Sequence, residues 1–200
     1  MQMRTLIFAT NNQHKVDEIK EVVGNNYSII SLKDAGIHID IPEPYNTLQE
    51  NAITKAETIF ELTGNDCFSE DTGLEVTALN GEPGVKSARY AGEDKSFTDN
   101  IDKLLINLKG VKCREATFKT VICLILNGEK FLFEGACKGM ITEERSGDGG
   151  FGYDPVFKPE GSLNTFSEMS TAEKIRISHR TKSVNKLLVH LSTSGNFGTI

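Results

Sequence analysis

The chain has 200 residues, of which 38% are hydrophobic and 25% are charged, a composition typical of an ordinary globular domain. Its formal net charge of −6 at pH 7 argues against polymeric nucleic acid as a partner, because proteins that bind it usually carry a basic surface. No apolar run approaches the ~18 residues of a membrane span. The four cysteines stand far apart with no CxxC pair, which favours reduced thiols over a disulfide framework. We therefore expect a cytoplasmic protein that contacts neither a membrane nor polymeric nucleic acid.

The N-terminal third predicts a strand–helix–strand unit followed by a long helix. An apolar run over residues 3–9 is followed by a polar turn and then by apolar residues at helical spacing over residues 16–23. A second apolar run over residues 27–32 completes the unit. Residues 47–50 have the Thr-x-x-Glu form of a capping box and predict a helix that extends to Thr63.

The rest of the chain predicts a β-hairpin and further helices. Two β-rich runs, residues 115–126 and 129–137, are joined by Asn127-Gly128, a strong hairpin signal. The other predicted elements are strands over residues 67–69 and 74–79 and helices over residues 96–108, 171–178 and 182–191. We predict an α/β fold with a long central hairpin, formed by a single domain over residues 1–192, and a flexible tail over residues 193–200.

The turn between the first strand and the first helix is a candidate phosphate site. Ligands of open α/β sheets bind at the carboxyl ends of strands, and a helix start offers N–H groups and a positive dipole end. Lys15 adds a point charge, and Thr10 and Asn12 add neutral donors. The segment lacks the glycine spacing of a Walker loop. The alternative is an asparagine-rich helix cap beside a solvated lysine.

Three carboxylates and a lysine are candidates for metal and proton chemistry. Glu70 and Asp71 follow a strand-like run, and adjacent residues of an extended chain point in opposite directions, so they rarely share one function. At a strand end, twist would let both reach a magnesium ion, and an Asp there would take a proton from water. Glu43 lies between two prolines, and Lys55 follows on a helix. The alternatives are an acidic surface turn and a surface lysine.

A glycine-rich segment near the C-terminal third is a candidate base-binding loop. Residues 147–155 read Gly-Asp-Gly-Gly-Phe-Gly-Tyr-Asp-Pro, and this glycine density lets backbone approach a ligand closely. Its aromatic rings and Asp154 suit a planar ring with polar edges. Downstream, His179 and Arg180 offer donors to the acceptors of a purine. The alternatives are a surface turn whose rings fill the core and favourable charges at a helix C-terminus.

Read in order, these segments closely resemble the inosine triphosphate pyrophosphatase family. The similarity runs from about Leu6 to Leu188, nearly the whole chain. The matching segments are residues 10–15, Glu50-Asn51-Ala52 with Lys55, residues 70–74, Pro83-Gly84, residues 87–90, residues 149–155, and Glu173-Lys174 with Ser178-His179-Arg180. The Gly-Gly-Phe-Gly-Tyr-Asp-Pro and Ser-His-Arg blocks are highly specific in that order.

The resemblance implies an enzyme that hydrolyses non-canonical purine nucleoside triphosphates to the monophosphate and pyrophosphate with Mg²⁺. It implies a mixed sheet, two lobes around a nucleotide cleft, and a homodimer. By family analogy Asp71 is the catalytic base, and Glu43, Asp71 and Glu70 hold the metal. The implied substrate-binding residues are Thr10, Asn12, Lys15, Lys55, Thr72, Phe151, Gly152, Tyr153, Asp154, Lys174, His179 and Arg180.

Two departures from the family pattern affect these expectations. Asn11 stands where a small glycine is common, and Glu70 replaces the usual Asp of an Asp-Asp pair. The longer Glu70 side chain puts its metal role in question, whereas Asp71 is expected to keep the base role. Two other functions stay open: a Maf-like pyrophosphatase that acts on modified pyrimidine triphosphates, and a nucleotide-binding module without turnover.

Overall fold

A computed structural model of the chain describes residues 4–194, which contain five α-helices and seven β-strands. The strands are β1 Thr5–Phe8, β2 Ser28–Ser31, β3 Cys67–Val76, β4 Pro83–Gly84, β5 Glu115–Leu126, β6 Glu129–Ile141 and β7 Phe157–Pro159. The helices are α1 Gln13–Val23, α2 Leu48–Thr63, α3 Phe97–Asn107, α4 Thr171–Ile177 and α5 His179–Ser194. The predicted α/β fold is confirmed.

The seven strands form one mixed sheet. Six of them follow the order β2-β1-β3-β5-β6-β7, and β4 pairs with β3. β1 is parallel to both β2 and β3, with Thr5 opposite Ser28 and Ile7 opposite Cys67. The β3–β4 and β6–β7 pairs are antiparallel. The predicted strand–helix–strand unit is therefore confirmed as β1-α1-β2.

The predicted hairpin is confirmed by its turn conformation. Asn127 and Gly128 have φ values of 51° and 83°, and positive values at both positions are what a type I′ hairpin turn requires. β5 has the predicted bounds, whereas β6 continues beyond the predicted residue 137 to Ile141. This extension of β6 pairs with β7, and Gly139 of β6 lies opposite Pro159 of β7.

The prediction of two short strands around the acidic segment is wrong, because β3 is one continuous strand from Cys67 to Val76. The polar residues at its centre are buried, with Ser69, Glu70 and Asp71 at 0%, 1% and 7% exposure. The Ser69 hydroxyl donates to the carbonyl of Ala52 on α2. Local polarity predicted a turn, but tertiary partners keep the segment extended.

The predicted helix starts are confirmed by their caps. The Thr47 side chain accepts a hydrogen bond from Glu50 N at 3.1 Å, and Gly64 ends α2 in the left-handed conformation. The Ser96 side chain likewise accepts from Asp99 N at the start of α3. These caps satisfy backbone donors that a helix start leaves without an internal partner.

The C-terminal helices are closer together than predicted. α4 ends at Ile177, Ser178 is extended with ψ 154°, and α5 begins directly at His179. The prediction of a helix start at residue 182 is therefore wrong, and His179 and Arg180 open a helix rather than close one. α5 continues to Ser194 into the predicted tail, and residues 195–200 lie outside the described residues.

The described chain forms two compact units, each with its own apolar core. Unit 1 comprises the residues up to Asp71, Thr120–Gly135 and the residues from Arg180, and unit 2 comprises Thr72–Lys119 and Ala136–His179. The core of unit 1 includes Leu6, Phe8, Val16, Ile19, Phe68, Ile122, Leu124, Val184 and Leu187. The core of unit 2 includes Leu74, Ile101, Leu104, Phe118, Val156, Phe157 and Phe166. That residues 1–192 form a single domain whose two lobes enclose a cleft stays a prediction.

No helix within residues 4–194 combines the length and the apolar character that crossing a membrane requires.

Replacing Leu104 on α3 by alanine tests the core of unit 2. Leu104 is fully buried, so Leu104→Ala should lower the free energy of unfolding by about 2–5 kcal/mol through lost burial and a cavity. Leu163 is 95% exposed, and Leu163→Ala should change stability by less than ~0.5 kcal/mol. Urea unfolding measures both, and equal losses for the two variants would contradict this packing.

Candidate functional site

Unit 1 contains a buried lysine that gathers two carboxylates. Lys55 lies on α2 and is only 6% exposed. Its Nζ donates to Glu43 Oε1 at 2.6 Å and to Asp71 Oδ1 at 2.8 Å. Glu43 comes from the loop before α2 and Asp71 from β3, so three separate segments meet at one ammonium group.

Burial and charge act in opposite directions on this cluster. Burial alone would lower the pKa of Lys55, but the charges of Asp71 and Glu43 raise the pKa above its ordinary value and keep the ammonium charged. Burial also raises the pKa of Asp71, while the positive charges of Lys55 and Lys15 oppose that rise. A carboxylate with a raised pKa beside a fixed cation is the electrostatic setting of a proton acceptor.

Glu70 forms a second ion-pair cluster, which is centred on Arg180. Arg180 Nε and Nη2 donate to the two Glu70 carboxylate oxygens at 2.8 Å each, a bidentate pair. Lys15 Nζ lies 3.2 Å from Glu70 Oε1, and Arg180 Nη1 also donates to Glu18. Burial would lower the pKa of Arg180, but Glu70 and Glu18 raise it. Two carboxylates and two basic side chains therefore meet in this cluster.

The two adjacent carboxylates of β3 thus have different cations. Successive side chains of a strand alternate between its faces, which agrees with Glu70 contacting Arg180 and Asp71 contacting Lys55. The metal role implied for Glu70 and the base-edge role implied for Arg180 stay predictions. In the structure these two residues bind each other.

The predicted phosphate turn is organised by its own side chains. Asn12 is the N-cap of α1, and its Oδ1 accepts from Lys15 N at 3.3 Å. Thr10 Oγ1 accepts from Asn12 N at 3.1 Å. Asn11, which departs from the family pattern, donates from its Nδ2 to the carbonyl of Ile39 in a neighbouring loop at 2.8 Å. The side-chain oxygens of Thr10 and Asn12 shape the turn.

In unit 2, Asp154 organises the glycine-rich loop. Asp154 is 3% exposed, and its Oδ2 accepts from Phe151 N at 2.9 Å and from Lys174 Nζ at 2.6 Å. The Lys174 ammonium also lies 5.2 Å from the centre of the Phe151 ring. The structure therefore brings three predicted substrate-binding residues together: Asp154 binds the backbone of Phe151, and the Lys174 ammonium makes a cation–π contact with its ring.

Close backbone contacts explain the glycines of this loop. Gly149 N donates to the Ser167 carbonyl at 3.2 Å, and Ser167 Oγ donates back to the Gly149 carbonyl at 2.5 Å. A Cβ at Gly147 would lie 2.6 Å from the Ser167 carbonyl carbon, and one at Gly150 would lie 2.2 Å from Asp154 Oδ2. Gly147 and Gly150 also have φ values of 80° and 73°.

The other predicted residues of unit 2 occupy different surroundings. The Tyr153 hydroxyl donates to the Ser87 carbonyl at 2.9 Å, and burial raises the pKa of this tyrosine. His179 is 3% exposed and stacks on Phe118 with 4.6 Å between ring centres. Tyr153 and His179 are thus packed in the interior of unit 2. Thr72 lies on β3, and the half-buried Gly152 lies in the loop.

Asn51 and Glu18 lie at these clusters but have no predicted role, although Asn51 belongs to a segment that matches the family. Asn51 precedes Lys55 by four residues and Glu18 follows Lys15 by three, spacings that put each pair on one helix face. Helical spacing from the predicted lysines was therefore the signal that could have found both.

The carboxylate pair of unit 1 fits a hard cation. No cluster of three or more His, Cys, Asp or Glu side chains within residues 4–194 has the arrangement of a metal site. Glu43 and Asp71 nevertheless each direct one oxygen at the Lys55 ammonium, so a positive group already fits between them. Magnesium prefers oxygen ligands and needs only one or two protein carboxylates when waters and phosphate oxygens complete its shell.

The sequence and the fold of this chain are both found in known proteins. Residues 6–190 match the Ham1 family. The chain is 51% identical over 183 residues to a dITP/XTP pyrophosphatase of Flavobacterium psychrophilum, covering 92% of this chain and 96% of that relative. It is 50% identical to the protein of the same name from Flavobacterium johnsoniae, covering 92% and 95% of the two chains.

Solved structures agree with the sequence comparison. The Ham1 protein of Staphylococcus aureus superposes with a TM-score of 0.86 at 38% identity, covering 96% of this chain and 100% of that chain. A HAM1 protein from Coxiella burnetii gives the same TM-score and coverage at 34% identity. The chain belongs to the Ham1 family, and the family resemblance drawn from its motifs is confirmed.

Removing one charge of the Glu70–Arg180 pair should cost more than removing an exposed charge on the same strand. Glu70 is fully buried in this pair, so Glu70→Gln should lower the free energy of unfolding by about 3 kcal/mol. Glu75 pairs with Lys119 at the surface, and Glu75→Gln should cost less than ~1 kcal/mol. Urea unfolding compares the two, and equal costs would show that the buried pair adds nothing.

The contact between Gly150 and Asp154 predicts a steric effect beyond backbone strain. Gly150→Ala places a Cβ against Asp154, whereas a Cβ added at Gly161, which has φ 79°, would meet open space. Both substitutions carry the positive-φ penalty, so Gly150→Ala should be more destabilising than Gly161→Ala by about 1–3 kcal/mol. Thermal and urea unfolding measure the difference, and equal stabilities would contradict the close approach.

Proposed function

We propose that the protein is a pyrophosphatase that hydrolyses non-canonical purine nucleoside triphosphates, namely the inosine and xanthosine forms and their deoxy counterparts. The products are the nucleoside monophosphate and pyrophosphate. The observation that carries this proposal is the buried convergence of Glu43 and Asp71 on Lys55, in a chain about 50% identical to proteins named dITP/XTP pyrophosphatase.

Asp71 is the proposed base of the reaction. Its buried carboxylate accepts the proton of the water whose oxygen attacks the α-phosphorus, and pyrophosphate leaves as the new P–O bond forms. Burial favours this proton transfer because it raises the pKa of Asp71. The Lys55 ammonium, 2.8 Å from Asp71 Oδ1, holds the carboxylate in position. Lys15, on the first turn of α1, supplies positive charge toward the triphosphate.

Glu43 and Asp71 are the proposed ligands of Mg²⁺, which when bound neutralises phosphate charge and polarises the water. The support is the donor set, since both carboxylates already enclose one cationic group. The metal role implied for Glu70 stays a prediction, and in the structure its two oxygens form a bidentate pair with Arg180. We further propose that the protein is a cytoplasmic homodimer.

The glycine-rich loop is the proposed base-binding element. Phe151 offers a ring face, and Lys174 offers an ammonium donor fixed by Asp154. A donor directed at the 6-oxo group of hypoxanthine or xanthine meets another donor in the 6-amino group of adenine. Such a mismatch leaves buried polar groups unpaired and discriminates by up to ~10⁴-fold.

A product assay with Mg²⁺ tests the proposed reaction. We expect deoxyinosine and xanthosine triphosphates to give pyrophosphate, at rates well above those for ATP and for modified uridine triphosphates. Asp71→Asn should lower kcat by about 10²–10⁴-fold because the proton acceptor is lost. Asp102→Asn, at an exposed pair with Arg145, is the matched control and should retain activity.

Three outcomes would contradict the proposal. Release of orthophosphate would exclude the reaction class, and preference for modified pyrimidines would favour a Maf-like substrate. Full activity of Asp71→Asn would remove Asp71 as the base.

A further inference from the structure

Asn51 contacts both segments that supply the carboxylates around Lys55, namely the loop that contains Glu43 and the strand β3 that contains Asp71. It is 2% exposed on α2. Its Oδ1 accepts from Tyr45 N at 3.0 Å, and its Nδ2 donates to the Tyr45 carbonyl at 3.1 Å. The same Nδ2 lies 3.5 Å from Asp71 Oδ2, a long contact at the limit of a hydrogen bond. The Asn51 amide therefore contacts the backbone of Tyr45, two residues after Glu43, and also the carboxylate of Asp71.

The contacts of Asn51 and Lys55 complement each other. They lie one helical turn apart on the same face of α2. Lys55 contacts Asp71 Oδ1 and the side chain of Glu43, whereas Asn51 contacts Asp71 Oδ2 and the backbone at Tyr45. Both oxygens of Asp71 are thus engaged from one helix, and the loop that carries Glu43 is attached to that helix twice.

A second buried asparagine, Asn100, makes the same kind of backbone contacts as Asn51. Asn100 is also 2% exposed and is the fourth residue of α3, as Asn51 is of α2. Its Oδ1 accepts from Ala91 N at 2.6 Å, and its Nδ2 donates to the Ala88 carbonyl at 3.0 Å. Each asparagine clamps the backbone before its helix, and the Asn51 amide in addition contacts the Asp71 carboxylate.

We propose that Asn51 is a positioning residue for the hydrolysis: it fixes the Glu43 loop relative to the Asp71 carboxylate. An asparagine suits the task because it combines an acceptor for Tyr45 N with donors for Tyr45 O and Asp71. An aspartate has no donor, and a serine is too short to span these partners. The inference rests on the proposed function, because positioning matters only if both carboxylates act together.

The test compares Asn51→Ala with Asn100→Ala, and Asn51→Ser serves as a second variant that retains a small polar group. Both sites lose a backbone clamp, so similar losses of thermal stability are expected. Assays are run at a temperature where all variants are folded. Only the Asn51 variants should lower kcat, by at least ~10-fold with KM for deoxyinosine triphosphate within ~3-fold, since displacement by ~1 Å can cost ~10²-fold in rate.

A second readout does not depend on activity. Mn²⁺ is a hard cation that shares the preference of magnesium for carboxylates, and its free concentration is measured by electron paramagnetic resonance. Titration of the nucleotide-free protein should give at least ~10-fold weaker Mn²⁺ binding for Asn51→Ala and an unchanged value for Asn100→Ala.

The outcomes separate this inference from the function on which it rests. If the wild-type protein releases pyrophosphate but the Asn51 and Asn100 variants match in kcat and Mn²⁺ affinity, Asn51 is only a structural clamp and the inference is overturned. If the wild-type protein neither turns over the triphosphate nor binds Mn²⁺, the proposed function fails first. A selective loss in the Asn51 variants supports the inference.

Discussion

The buried ammonium group of Lys55 is the constraint around which the candidate site of unit 1 is built. A charge in a protein interior is tolerated only when it is paired and hydrogen-bonded, because its desolvation costs several kcal/mol. Lys55 satisfies this requirement with Glu43 and Asp71, which come from a loop and from β3. The middle of α2, the loop before that helix and the centre of β3 must therefore keep fixed relative positions.

Alternation along β3 extends this arrangement to a second cluster. Asp71 contacts Lys55, and its neighbour Glu70 contacts Arg180 from the first turn of α5. Two carboxylates one residue apart would repel each other if they shared a site. Each carboxylate instead pairs with its own main cation, Glu70 with Arg180 and Asp71 with Lys55, and the second pair has the contacts that suit a proton acceptor.

Local sequence signals predicted much of the fold and the elements of the site. The capping residues Thr47 and Ser96 and the Asn127-Gly128 turn act over a few residues, so they are legible from sequence. The continuity of β3 was missed because its polar centre is stabilised by partners such as Arg180, 110 residues distant in sequence from Glu70. The contact of Asp154 with Lys174, 20 residues further along the chain, was not predicted for the same reason. The roles of individual site residues came from the family resemblance and stay proposals.

A double-mutant cycle between Lys55 and Asp71 tests the central claim most directly. Lys55→Met removes the ammonium and leaves buried carboxylates without their cation, whereas Asp71→Asn removes one of those charges. The free energies of unfolding of the wild type, both single variants and the double variant give the coupling between the two side chains. We predict that the double variant loses less stability than the sum of the single losses, by about 1–3 kcal/mol. Additive losses within ~0.5 kcal/mol would contradict the claim that Lys55 organises this site.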